Sequence, residues 1–187
     1  MFRSLFGKRK KDEPAPSDTS IRSARPGDVV VVSGFNPLLE DAFFIVESRS
    51  RFESPFARWH ELVGSEEDRH ATIDWSDDDG LFVTISEQTD PMGLQSIGLE
   101  YDDMVRLDEE NSIDNFVIVD GEKYGYQNSH EATYFKDDGK EGVPFYMWEF
   151  VSEDRKKLLS VSKYEGMPFE VYISEVIDPE RVSVFKR

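Results

Sequence analysis

The sequence predicts an all-β or β-dominated domain, and three observations carry that expectation. The 187 residues include 14 Phe, 7 Tyr and 3 Trp, rings that favour strands and bury large areas. Short runs rich in Val, Ile, Phe and Tyr recur along the chain, and Gly, Asp and Asn fill the intervals between them. Such spacing, with turn-forming DG and EG pairs, predicts an antiparallel meander, an open barrel or a sandwich. The length fits one core, hence one domain.

The elements follow in order. Residues 1–11, MFRSLFGKRKK, hold five of the 22 basic residues. The stretch DEPAPSDTSIRSAR has linker composition, with Ile21 its one large aliphatic residue. A disordered basic leader and linker is therefore expected over 1–25, and a single β-rich domain over 26–187. A turn at Arg25-Pro26-Gly27-Asp28 opens the domain, ahead of the β-branched run Val29 to Val32. Strands are expected over 42–47, 56–63, 71–75 and 81–86. A polar connector near 88–115 is the expected place for the little helix present, especially 100–110. Strands then follow over 116–119, 123–127, 131–135, 144–152, 158–164, 169–175 and 181–185.

The two halves echo one another. WHELVGSEEDR from Trp59 resembles WEFVSEDR from Trp148, and each is followed by a strand, a turn and a strand ending in Ile-Ser-Glu. Two pseudo-repeated β units, over 26–90 and 115–187, are expected to face each other, with any site where they meet.

Charge narrows the partners. The formal net charge is −17, but residues 1–25 are at +4, with seven Lys or Arg and three acids, so 26–187 stands at −21. Nucleic acid is excluded as a partner for the body, because affinity for it rests on Lys and Arg releasing counterions. An unknown protein or a small cationic ligand suits it. The chain has no Cys, which removes thiol catalysis, disulfides and thiolate metal sites. No run approaches the ~20 apolar residues of a bilayer span, and the leader lacks a signal-peptide pattern. A cytoplasmic location is expected. Phe2, Leu5 and Phe6 share one face if the leader is helical, and Lys8, Arg9, Lys10 and Lys11 follow them. These seven are membrane-contact candidates for weak attachment to the inner face of an anionic membrane.

Chemical motifs are scarce. Read as a calcium loop with Gly80 at its sharp turn, DWSDDDG has Trp75 and Ser86 where ligands are required. It reads instead as a hairpin with Ile73, Trp75, Leu81, Val83 and Ile85 toward the core and acidic side chains toward water. His60, His70 and His130 show no metal-ligand spacing, and neither metal nor cofactor is expected. His60 should face solvent. Glu61 lies between Trp59 and Val63 on one strand face, so an inward carboxylate there must reach a rim, pair with Arg, or line a pocket. No Ser or Cys nucleophile motif occurs, and GLQSIG lacks the Lys and Ser or Thr of a phosphate loop. No catalytic residue is named.

The segments FARWHEL, EATYF, FYMWEF, LLSVSKYEG and FEVYISEVIDPE, from about residue 25 onward, resemble the bacterial family called domain of unknown function 4178. Ser174 stands where that family more commonly has Gly, and Leu62 where it has an aromatic. The resemblance brings no activity and no catalytic residues. Members are often found beside membrane-stress proteins and polyamine-synthesis enzymes, and the resemblance thereby implies a membrane-associated accessory role. The candidate ligand- or partner-binding residues are Trp59, Glu61, Trp148 and Glu149. The expected function is a non-catalytic binding or adaptor domain; the alternative is an accessory subunit or enzyme in polyamine-linked metabolism. A deep pocket of convergent carboxylates would favour the alternative.

Overall fold

The computed structural model describes residues 19–35 and 40–187. The membrane-contact candidates Phe2, Leu5, Phe6, Lys8, Arg9, Lys10 and Lys11 lie outside the described residues. The strands are β1 (Val29–Val32), β2 (Ala42–Glu53), β3 (Arg58–Glu66), β4 (Arg69–Ser76), β5 (Phe82–Ser86), β6 (Phe116–Val119), β7 (Glu122–Phe135), β8 (Val143–Ser152), β9 (Lys157–Tyr164), β10 (Phe169–Ile177) and β11 (Val182–Phe185). Among the described residues one α-helix, α1 (Tyr101–Glu110), lies in the connector, after a short 3-10 turn over Leu94–Ile97. Asp103 in its first turn accepts a hydrogen bond from the Glu100 backbone N–H at 2.9 Å, and Asn111 in the left-handed region ends it.

All strands join one antiparallel sheet in the order β11-β1-β2-β3-β4-β5-β10-β9-β8-β7-β6, and β2 also pairs with β7. That extra pairing closes eight strands, β2 to β5 and β7 to β10, into a ring. The ring is irregular: three residue pairs form the β2–β7 seam and three the β5–β10 seam. The chain thus makes two five-strand meanders, β1 to β5 and β6 to β10, joined through their edge strands β5 and β10 at one seam and their second strands β2 and β7 at the other.

Each meander buries its outward face in its own core. Val30, Phe44, Leu62, Ile73 and Ile85 form the first, closed by Val182 and Val184 of β11. Tyr126, Phe150, Leu159 and Val161 form the second, under Met104 and Leu107 of α1. Burying each of those two helix side chains contributes roughly 1.5 to 3 kcal/mol.

Several boundaries differ from the local reading. The expected strands 123–127 and 131–135 are one strand, β7, because a bulge between Tyr126 and Asn128 lets pairing with β8 continue. The ordered body also begins before Arg25. Ile21 and Ala24 are fully buried in the first core, and the Arg49 guanidinium donates to the Arg22 and Ala24 carbonyls at 3.1 Å each. The Trp motifs are out of step. Past the bulge in each long strand, Ser48 faces Val63 and Asn128 faces Glu149, so Leu62 occupies the place of Trp148, and Trp59 that of Phe145. An odd offset reverses the face of the sheet. Among the described residues no helix is long and apolar enough to cross a membrane.

Candidate functional site

Strand alternation builds the site. On β3, Leu62 enters the first core, which turns Trp59 and Glu61 to the opposite face, inside the ring. Pairing sets Asp74 of β4 directly across from Glu61 and Thr84 of β5 across from Asp74. Facing them from the second meander are Phe145, Met147 and Glu149 of β8, Ser160 and Ser162 of β9, and Glu170, Tyr172 and Ser174 of β10.

These side chains line two adjoining, partly open cavities of about 310 Å³ and about 410 Å³. Trp59, Asp74, Met147, Ser160 and Ser174 line both. The first lobe adds Glu61, Glu170 and the phenols of Tyr134, Tyr164 and Tyr172. The second adds Glu149, Gln127, Asn128 and His130. The first lobe has an aromatic wall. Phe52 stacks on Trp59 at 5.1 Å between centroids and meets Tyr134 at 4.9 Å; Phe145 stacks on Tyr164 at 4.9 Å.

The electrostatics are one-sided, since among the described residues no Lys or Arg lines either lobe. None of Glu61, Asp74, Glu149 and Glu170 forms an ion pair among the described residues. Asp74 is half-buried and lines both lobes. Burial and the neighbouring Glu61 push its carboxyl well above the ordinary carboxylate range. Burial alone pushes Glu61 up to about 7. Burial, together with charges that include Glu61, raises Tyr134, Tyr164 and Tyr172, so these phenols remain protonated. In the second lobe, His130 Nδ1 lies 2.9 Å from Asn128 Oδ1, and its buried Nε2 has no partner.

Of the four candidates named from sequence, the structure brings Trp59, Glu61 and Glu149 to the cavity. Trp148 points the other way, into the second core beside Tyr146 and Phe169. Sequence reasoning misses Asp74: the hairpin reading turns its acids toward water, yet alternation with Ile73 and Trp75 sets Asp74 on the face opposite the core. His60, expected in solvent, stacks on Trp75 at 4.3 Å, and burial lowers its pKa. The turn acids have structural partners: Asp77 accepts two hydrogen bonds from Arg22 at 2.6 and 2.5 Å, and Asp138 lies 3.0 Å from Arg49. Among the described residues no group of three or more His, Asp or Glu side chains is arranged to hold a metal ion.

The family model described as domain of unknown function (DUF4178) matches residues 44–179, and the chain belongs to that family. No curated protein and no solved structure matches the chain.

Proposed function

We propose that this DUF4178 member is a non-catalytic binding domain that takes a small organic cation, bearing an ammonium group, into the ring between its two meanders. The observation that carries this reading is the half-buried Glu61 and Asp74 pair lining the cavity, which has no counter-charge among the described residues. Two adjacent half-buried carboxyls are costly when both are ionised, and an entering cation offsets that cost. The aromatic wall suits the same guest, since an ammonium over a ring face gains about 0.5 to 2 kcal/mol. A metal ion is a poorer fit, because among the described residues no three His, Asp or Glu side chains are arranged to hold one.

The raised carboxyls also support the second reading, an accessory subunit or enzyme in polyamine-linked metabolism. Binding is favoured because no cavity hydroxyl is hydrogen-bonded to a His or to either carboxyl among the described residues, so no nucleophile is paired with a base. A cytoplasmic location with weak membrane attachment through the leader is a separate proposal, supported by the charge split between 1–25 and 26–187.

Titration calorimetry with n-butylammonium at pH 8 tests the binding reading. Saturable binding that Glu61→Gln and Asp74→Asn each weaken at least tenfold is expected. Binding that survives both substitutions, or no binding of any alkylammonium, overturns it.

A further inference from the structure

The cavity has two lobes, and each carries acids of its own. Asp74 sits where they join. Glu61 and Glu170 lie on the first side, and Glu149 on the second. Glu149 follows Met147 by two residues on β8, and pairing with Ser160 and Ser162 of β9 keeps both side chains on the inner face. The step along the strand is about 6 to 7 Å, so Glu149 is displaced along the ring from the Phe145 and Tyr164 wall. Between the acids lie Trp59 and Met147, which line both lobes and offer apolar surface.

One compact cation at Glu61 and Asp74 would leave Glu149, beside the unpartnered His130 Nε2, without a counter-charge. We propose that the ring holds an elongated ligand with two cationic centres, one in each lobe, joined by an apolar chain lying along Trp59 and Met147. This rests on the cation-binding reading and narrows it. Glu61 and Asp74 hold the first centre, and Glu149 selects for the second. Joining two ammonium groups makes the second contact intramolecular, so affinity rises only when the chain spans the lobes. A chain too short reaches one lobe alone, and one too long must fold or protrude.

The experiment measures Kd at pH 8 for n-alkylammonium ions and for α,ω-alkanediammonium ions of two to eight carbons, with the full chain. The best diammonium is expected to bind at least tenfold tighter than the monoammonium of equal length, with an optimum at intermediate length. Glu149→Gln should bring diammonium affinity down to the monoammonium level. Glu141→Gln, an exposed acid, should change neither, which separates lobe recognition from general attraction to an acidic protein. Glu61→Gln should weaken both series.

Equal affinity of the two series, or a diammonium advantage that survives Glu149→Gln or is lost equally with Glu141→Gln, overturns the two-centre inference while the cation reading stands. Failure of both series to bind overturns both.

Discussion

Replacing Glu61 with Gln should stabilise the ligand-free protein at pH 8 and change it little at pH 5. Burial raises this carboxyl from an ordinary 4.5 to about 7. Between those two values the folded chain holds a proton that the unfolded chain has released, so stability falls as pH rises. The loss is complete above pH 7. At about 1.4 kcal/mol per unit, the shift corresponds to a ceiling of roughly 3 kcal/mol. For a domain of this size, each kcal/mol moves the melting midpoint by about 2 to 4 °C, so Glu61→Gln should raise Tm at pH 8 by several degrees. A Gln amide without a full set of partners takes back some of that gain. The assay is thermal unfolding by circular dichroism at pH 5 and pH 8, with and without an alkylammonium ion. The added cation should stabilise the wild type at pH 8 more than the variant. A variant that melts below the wild type at pH 8, or by the same difference at both pH values, would show that the carboxylate has a partner and refute the reasoning.

Further expectations follow from other contacts. Asp138→Asn leaves the enclosed Arg49 guanidinium, now 3.0 Å from the Asp138 carboxylate, without its counter-charge; a loss on the order of 2 kcal/mol is expected in urea unfolding, toward the lower end for broken buried pairs because Asp138 is partly exposed. Gly64→Ala drives a methyl to 3.0 Å from the Ile45 carbonyl oxygen and 3.1 Å from Phe44 Cβ, so Tm should fall by several degrees, in line with overpacking costs of about 1 to 3 kcal/mol. The leader proposal predicts co-sedimentation with anionic vesicles at low salt, lost when residues 1–11 are removed; equal sedimentation without them would end it.

Local chemistry made much of the fold legible. The acidic hairpin after Trp75, the helix after Glu100 and the β-branched run at Val29 each follow from neighbours a few residues apart, where turn residues and alternation decide the outcome. The face of Glu61 was legible for the same reason. What the chain alone determined was therefore a set of strands, their turns and, for each strand, which side chains share a face. Tertiary structure decided the partners of those faces. The β2–β7 seam joins residues some eighty positions apart, and only that closure turns a two-sided sheet into a ring with an inside. It brings Glu149 and Glu170 to the cavity that the β3–β4 pair Glu61 and Asp74 lines, whereas register alone sends Trp148 into the opposite core despite its resemblance to Trp59. Register explains the last point: a bulge in each long strand resets the pairing, and an offset of three residues exchanges the two faces of a sheet. Whether a buried carboxyl meets an Arg or another carboxyl depends on those long-range pairings, which no pattern within a single strand encodes.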